Sequence, residues 1–455
     1  MLNMLINYRQ PLISVFLTMA LAAGVLYDTR FAISLAALRA LLGASVVACL
    51  GAVFVVARYP QRTIMPSILS AWPMHLFTIC FVGVTWCFHS GAHLGSVIAY
   101  TIVGYATYLL VPLCLLLDRR LFDVFIRIVA VGSAILAIPS YVGAMGIDSV
   151  AGVSLSNKYS YSSFSGIIAS GGVFEHAEGH AMQMAVGLFC CIYCYRRTGK
   201  LADVVCVLMV ALGLLVSQGR GAIFGVVIAV AFGFLPDLVL RSRGLFLGSL
   251  AFCLLFPFLI WPQLANIPGV ASYLRMERGL SGRDVAWLFA ISLIEEKPWT
   301  GHGFESSGEL SEQSRKQLRK SGYSGAGTTF HNTFITKTVE LGGIASVVYA
   351  LLYVVALARI CGYSSSVDQQ RLIRNVVIVV LTASIFRDYN VGGVRSTAML
   401  AGIFLGLASL WPLADFLRQA SQEMSDDFLK TKSVDVPTNA GRGGSFAHLY
   451  RQSGS

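Results

Sequence analysis

The sequence contains little charge for its length. Only 13% of its 455 residues are Asp, Glu, Lys or Arg, whereas 56% are hydrophobic. A soluble domain of ordinary composition is about 25% charged, so the composition excludes a soluble globular protein. In place of charge, the chain has recurring apolar runs of about 20 residues, the length of a helix that crosses a bilayer.

The sequence also lacks a cysteine framework. All ten cysteines lie in or beside apolar runs, and no CxxC motif has a matching second pair. Neither a disulfide-stapled domain nor a cysteine zinc site is therefore predicted.

The apolar runs predict an all-α polytopic membrane protein, because helices satisfy their own backbone hydrogen bonds in lipid. About twelve spans are predicted, with the first treated as an uncleaved anchor. Their approximate positions are 11–28, 36–57, 70–87, 95–117, 121–145, 179–195, 201–217, 221–240, 244–262, 334–358, 372–387 and 394–416.

The distribution of positive charge predicts the orientation. The net charge of +11 is concentrated in short clusters at alternate connections, an arrangement typical of cytoplasmic loops and not of a nucleic-acid surface. We therefore expect residues 1–416 to form an integral membrane domain. Residues 417–455 are predicted to be a cytoplasmic, weakly ordered tail, so that both termini lie in the cytoplasm.

The opposite, periplasmic side carries few basic residues, and topology does not explain them. Six of the eight histidines are predicted on this side, as are two longer loops at about 146–178 and 263–333. The scattered basic residues are Arg30, Lys158, Arg220, Arg387 and Arg395.

The second long loop is predicted to contain two helices. One begins at a Ser281–Asp284 capping pattern and stops before Pro298; the other follows a GHG turn at 301–303 and starts with a Ser306–Glu309 pattern. A loop with two helices indicates a docking platform or lid more than a passive connector.

The segment FHNTFITKTVELGGIA at 330–345 is the sharpest local pattern. In a continuous helix, Gly342 would lie three turns from His331 on the same face, which would permit close approach of a neighbouring helix. His331 is either an interfacial capping residue or a functional group at the periplasmic entrance of a span.

Three arginines invite two interpretations each. Arg220 lies between two glycines in SQGRGA, Arg283 in the first turn of a loop helix, and Arg387 beside Asp388. Each could bind a phosphate through two parallel hydrogen bonds, or could extend towards lipid headgroups. Asp388 is the expected structural partner of Arg387.

Two further patterns have a structural and a functional interpretation. Lys337 and Glu340, spaced i, i+3 in a span, either neutralise each other or act on substrate. His176 and His180 in HAEGH could form half of a metal site, but HExxH order and a third ligand are missing. With no Asp-x-Asp pair in the outer loops, neither a metal nor another cofactor is expected.

The ordered set SQGRGA, SGRDVAW, EEKPWTGHGF and HN followed by GG resembles the O-antigen ligase superfamily, which includes O-antigen and exopolysaccharide polymerases. The resemblance covers roughly residues 170–410. It departs after Gly342, where Gly343, Ile344 and Ala345 follow instead of the pattern common in ligases.

This resemblance implies a metal-independent inverting glycosyltransferase of the GT-C kind. Its donor would be a glycan on undecaprenyl diphosphate; its acceptor would be the lipid A core or a second lipid-linked glycan, with membrane lipids as further partners. Arg220 and Arg283 would bind the diphosphate, and His331 would orient or deprotonate the acceptor hydroxyl. Further substrate contacts are predicted at Asn332, Arg387, Glu340 and His180.

Three functions remain open at this point. An O-antigen ligase is the leading hypothesis, and a polymerase that extends lipid-linked repeats follows closely. A transporter or flippase is the alternative of another class, although transporters usually place their ionisable residues near the bilayer midplane.

Overall fold

The computed structural model describes most of the chain between residues 66 and 413. The described positions are 66, 68–89, 94–150, 153–155, 168–235, 239, 242–265, 283–320, 330–361, 368–389, 391, 393 and 395–413, with 18, 19, 21, 22 and 25. The first two predicted spans lie largely outside the described residues, and the predicted tail lies wholly outside them.

The described part of the chain is built from helices. In chain order they are α1 (Trp72–Phe88), α2 (Leu94–Tyr105), a π-helical turn (Ala106–Leu110), α3 (Val111–Leu117), α4 (Arg119–Ala144), α5 (Ala177–Thr198), α6 (Leu201–Ser217), α7 (Arg220–Gly233), α8 (Arg243–Ala265), α9 (Arg283–Glu296), α10 (Ser306–Lys320), α11 (Thr333–Ile360), α12 (Asp368–Phe386) and α13 (Ser396–Leu413). The all-α polytopic class is confirmed, and each predicted apolar run from 70–87 onwards falls on a helix.

Four helices of the described region are long and apolar enough to cross a membrane: Gly95–Leu116, Arg119–Ala144, Thr333–Ile360 and Ser396–Leu413. Shorter apolar helices of the described region include α1, which precedes them, and α6 and α7, which lie between the second and the third. The total of about twelve spans stays a prediction.

Short polar signals separate several of these helices. Asp118 ends α3 and caps α4, because its carboxylate accepts hydrogen bonds from the backbone N–H groups of Arg120 and Leu121 at 3.0 and 3.2 Å. Gly199, at φ +64°, ends α5 in the left-handed conformation typical of a helix C-terminus. Such local signals keep the connections short.

A small β-hairpin lies in the loop after α4 and was not predicted. Its strands, β1 (Ser149–Val150) and β2 (Val153–Ser154), pair antiparallel, with Ser149 opposite Ser154. Two residues per strand leave the all-α assignment unchanged.

The helices that position the candidate site form two groups. α5 packs against α4, α6, α7 and α12, and α7 packs against α12. α11 packs against α1, α12 and the two loop helices α9 and α10. Because α12 belongs to both groups, it joins the α5–α7 side of the molecule to the α11 side.

Both predicted loop helices are present. α9 ends at Glu296, before Pro298, and α10 runs from Ser306 to Lys320. The capping-box assignment of Ser306 is wrong: Ser306 is the first helical residue, and its hydroxyl donates to the carbonyl of Gly303 at 2.6 Å. Ser281 lies outside the described residues.

Candidate functional site

Arg220 is the first residue of α7 and follows the N-cap Gly219. A Cβ on Gly219 would lie 2.2 Å from Cβ of Ala181 in α5, and one on Gly221 would lie 2.9 Å from Cβ of Phe386 in α12. The two glycines allow the N-terminus of α7 to fit tightly between α5 and α12, so the position of Arg220 is fixed by packing.

A cavity of about 50 Å³ lies at this helix N-terminus, which is enough for about four water molecules. Its polar lining includes Glu178, Gln218, Arg220, Arg387 and Tyr389. Two predicted cations, 167 positions apart in sequence, thus line one cavity.

Arg387 forms an ion pair with Glu178. Its guanidinium donates to the Glu178 carboxylate at 2.9 Å, and the Arg387 side chain is only 14% exposed. The ion pair with Glu178 takes the place of the predicted pair with Asp388. The chain turns after α12, and the two side chains contact different neighbours.

Asp388 turns instead towards α11, where it accepts a hydrogen bond from the Thr336 hydroxyl at 2.6 Å. Burial raises the pKa of the Asp388 carboxyl above its ordinary value, although the Thr336 bond acts in the opposite direction.

Hydrogen bonds to α11 and to α5 hold the loop after α12, and with it Arg387, in place. The Thr333 hydroxyl donates to the Arg387 carbonyl at 2.8 Å and accepts from the Tyr389 N–H at 2.9 Å. The Tyr389 hydroxyl donates to the Glu178 carbonyl at 2.8 Å. The loop therefore links the N-terminus of α5, at the cavity, to the N-terminus of α11.

His331 lies just outside α11, two residues before Thr333. It is half-buried and adopts φ +52°, a left-handed conformation that is uncommon outside glycine. The helix cap is Asn332, whose side-chain oxygen accepts from the N–H groups of Phe334 and Ile335 at 2.9 and 3.0 Å. Asn332 therefore has a structural task, and His331 is not the capping residue.

The predicted common face of His331 and Gly342 does not exist. His331 is not helical, and Gly342 interrupts α11 with φ +77° and ψ +175°. In a regular helix, the N–H groups of residues 343 and 344 would bond the carbonyls of Val339 and Glu340. The break at Gly342 removes this regular pairing.

Backbone N–H groups of the GHG turn bond to the carbonyls of α11 beside the break. His302 N–H donates to the Val339 carbonyl at 2.8 Å, and Gly303 N–H donates to the Glu340 carbonyl at 2.9 Å. Gly343 N–H in turn donates to the Pro298 carbonyl at 2.7 Å. The close neighbour that Gly342 admits is thus the loop between α9 and α10 and not another helix.

Lys337 and Glu340 form a buried ion pair at 2.8 Å beside this break. The second Glu340 carboxylate oxygen accepts from the Ser307 hydroxyl at 2.6 Å, and the Lys337 ammonium lies 5.2 Å from the ring centroids of Tyr100 and Phe304. Of the two interpretations of this pair, the structure shows the neutralising arrangement. It binds α10 and the GHG segment to α11.

The start of α9 is held near His331. Trp287 donates its indole N–H to the carbonyl of Phe330, the residue before His331, at 2.7 Å. Arg283 is the first residue of α9 and lies one turn before Trp287. Its side chain lies outside the described part of the chain.

The two histidines of HAEGH have different surroundings. His176 is the N-cap residue of α5, and its pKa is lowered by burial first and by the Arg387 charge second. His180 is fully buried beside the ring of Phe174, at 5.4 Å between ring centroids. Within the described residues, no group of three His, Cys, Asp or Glu is placed to hold a metal ion.

Glu178 and Tyr389 are the site residues that the sequence analysis missed. Glu178 lies in the first turn of α5, on the same predicted side of the membrane as Arg220. An acid beside a helix N-terminus is ordinary, so only its pairing with Arg387 gives it a place in the site.

Comparison with known families agrees with the ordered motifs. Residues 204–350 match the model of the O-antigen ligase family. The match supports an O-antigen ligase-type domain in this part of the chain. No curated protein matches the sequence.

The ligase-type domain runs from α6 into α11 and so includes Arg220, Arg283, His331 and the break at Gly342. Glu178 and Arg387 lie outside it but complete the cavity around Arg220. The family and the apolar helices together support a membrane glycosyltransferase of the O-antigen ligase or polymerase type, with lipid-linked glycan substrates.

Proposed function

We propose that the chain transfers a glycan from undecaprenyl diphosphate to an acceptor hydroxyl at the periplasmic face of the inner membrane, as a ligase that attaches the glycan to the lipid A core. The observation that carries this proposal is the placement of Arg220 and Arg387 around one cavity at the N-terminus of α7.

This cavity suits a phosphate group. The Arg220 guanidinium can form charge-assisted, bidentate hydrogen bonds to phosphate oxygens. Arg387 adds positive charge to the cavity, although Glu178 balances part of it. The first N–H groups of α7 and the positive end of its dipole add to the attraction for an anion. At about 50 Å³ the cavity is too small for a whole glycan carrier, so only phosphate oxygens would enter it while the lipid and sugar remain outside.

Arg283 and His331 supply the remaining parts of the proposed reaction. The Trp287–Phe330 hydrogen bond keeps the start of α9 close to the segment that carries His331. Arg283 would share the diphosphate charge with Arg220, and the two cations would stabilise the leaving group as it departs.

In the proposed step, the acceptor oxygen forms a bond to the anomeric carbon as the bond from that carbon to the diphosphate oxygen breaks. The acceptor proton passes to the neutral imidazole of His331, and undecaprenyl diphosphate leaves with the bonding electron pair. Attack opposite the leaving group inverts the anomeric centre. The step requires neither a nucleotide nor a metal ion.

Variants at His331 can separate chemistry from backbone strain. Asn and Gly both tolerate a left-handed conformation, so His331→Asn and His331→Gly should fold normally. Both should lose transfer by at least about a hundredfold, since general base catalysis contributes about 10² to 10⁴. Wild-type transfer by both variants would exclude His331 as the base.

Arg220 can be tested with a charge-conserving change. Arg220→Lys should keep binding in part but lower transfer by about 10² to 10³, the usual loss when one preorganised donor is removed. Arg197→Lys is the matched control and should retain activity, because Arg197 lies near the C-terminus of α5 and does not line the cavity. If Arg220→Lys, His331→Asn and His331→Gly all transfer normally, these residues do not carry the reaction. If the purified wild-type protein forms no transfer product with any acceptor, a transporter or flippase becomes the better hypothesis.

The acceptor is tested with purified protein and undecaprenyl-diphosphate glycan, with and without lipid A core. A ligase forms product only when the core is present. Chain elongation in its absence would overturn the ligase proposal in favour of the polymerase.

A further inference from the structure

A second cavity lies between the same three helices that surround Arg220. It has a volume of about 370 Å³ and is lined by the C-terminal parts of α5 and α7 and the N-terminal part of α12. The Arg220 cavity uses the opposite ends of these helices.

The two cavities are distinct sites. Arg374 lines the second cavity and Phe386 the first, twelve residues apart on α12. Ala181 and Tyr193 show the same separation on α5. Twelve residues of helix span about 18 Å, so a ligand in the second cavity would lie near the opposite leaflet from the glycan transfer site.

Positive charge dominates the polar wall of the second cavity. Arg196, Arg371 and Arg374 line it together with a single acid, Asp368. Asp368 lies 3.7 Å from Arg196, and both side chains are well exposed, at 40% and 51%. Exposed pairs of this kind are weak, so the wall keeps an excess of positive charge.

The wall also contains groups that suit a bound polar ligand. Arg374 is only 4% exposed, so its charge lies inside the protein and not in the water beyond a helix end. In the next position, the side-chain oxygen of Asn375 is buried and has no hydrogen-bond partner among the residues that the structure describes. A buried acceptor of this kind is costly unless a donor reaches it.

The other side of the cavity is apolar and opens to the surface of the helix bundle. Val230 and Phe234, near the end of α7, are 43% and 85% exposed. A cavity with cations on one wall and exposed apolar side chains on the other fits an amphiphile with an anionic head.

We propose that this cavity binds an acidic phospholipid whose headgroup carries a hydroxyl. Its phosphate would bond to the three arginines, a headgroup hydroxyl would donate to Asn375, and its acyl chains would lie along Val230 and Phe234. Basic pockets between membrane helices are known to take such headgroups.

The test uses the full purified chain in a neutral detergent. The melting midpoint is followed during titration with phosphatidylglycerol, phosphatidylcholine or inorganic phosphate, because a ligand that binds the folded state raises the midpoint. Phosphatidylglycerol should raise it in a saturable way, and the other two should not.

Two kinds of variant locate the effect. Arg371→Gln and Arg374→Gln remove charge, whereas Gly233→Phe fills space: Gly233 lines the cavity, and a Cβ there would meet nothing within 4 Å. Each arginine variant should raise the half-saturating lipid concentration about tenfold, the loss of roughly one charge-assisted hydrogen bond. Gly233→Phe should raise it by at least as much, because the ring occupies the space of the lipid.

Arg197→Gln is the matched control, since Arg197 is the neighbour of Arg196 but does not line the cavity. It should leave the half-saturating concentration within about twofold of the wild type, because exposed pairs contribute little.

Equal midpoint shifts with phosphatidylcholine, or with inorganic phosphate alone, would overturn the proposal. So would wild-type binding by both Gly233→Phe and Arg371→Gln. These two variants also keep the test decisive if Arg374→Gln fails to fold.

Discussion

Replacement of Gly342 by Ala tests the junction between the GHG turn and α11. A Cβ at this position would lie 2.1 Å from the Trp299 carbonyl oxygen and 2.7 Å from the Thr300 nitrogen, far inside van der Waals contact. The backbone of the loop must therefore move away, or α11 must straighten. Either change separates the two segments.

The expected loss has two contributions. A side chain at φ +77°, ψ +175° occupies a region that is essentially restricted to glycine, at a cost of about 1–3 kcal/mol. Displacement of the loop also breaks three backbone hydrogen bonds, each worth about 0.5–1.5 kcal/mol. Together these give a loss of about 2.5–7.5 kcal/mol, a large fraction of the 5–15 kcal/mol typical of folded proteins.

The assay combines melting in detergent at a fixed scan rate with glycan transfer. Gly342→Ala should lower the midpoint and abolish transfer, because the displaced loop follows α9, whose Trp287 bonds to the residue before His331. Gly308→Ala in α10 is the control: a Cβ there meets nothing within 4 Å, and Ala favours a helix. If Gly342→Ala melts with the wild type and transfers normally, the loop does not depend on the break in α11.

Two further predictions concern buried charge. Lys337→Met should destabilise the protein by about 3–5 kcal/mol, because it leaves the Glu340 carboxylate buried without its cation, and adding Glu340→Gln should restore part of the melting midpoint. The pKa of His176 is lowered in the folded state, by burial first and then by Arg387, so the unfolded chain binds more protons and stability should fall as the pH drops below 6.5. His176→Asn should reduce this loss in melting curves between pH 7 and pH 5; an unchanged pH profile would contradict the interpretation.

The helices could be predicted because the signals for them are local. Apolar runs of spanning length fall on α1 and on the helices that follow it, and the loop helices α9 and α10 begin and end near the predicted residues. A run of apolar residues needs a helix in lipid whatever its neighbours are. No knowledge of tertiary contacts was required.

The break in α11 could not be predicted in the same way. The pair Gly342–Gly343 is compatible with a straight helix that packs closely on a neighbour. Its actual conformation depends on the GHG turn, about 40 residues earlier in the chain, whose N–H groups replace the regular helical bonds. The sequence contains both glycine motifs but no local sign that they pair.

The ion pair of Arg387 could not be predicted from the local sequence either. Asp388 is adjacent in sequence, whereas the actual partner Glu178 is 209 positions away and reaches Arg387 because α5 and α12 pack together. Sequence proximity was therefore a poor guide, and the correct pair required the helix arrangement.

The shared use of α5, α7 and α12 explains how one bundle can offer two charged cavities. Each helix is held close to the others by small residues near the Arg220 end, where Gly219 and Gly221 admit Ala181 and Phe386. No such contact surrounds Gly233 near the far end of α7, where a Cβ would meet open space. The helices are therefore closely packed around Arg220, which the proposed reaction requires to be held rigidly, because transition-state stabilisation depends on preorganised groups. They leave room at the other end, where the proposed lipid would only need to be bound.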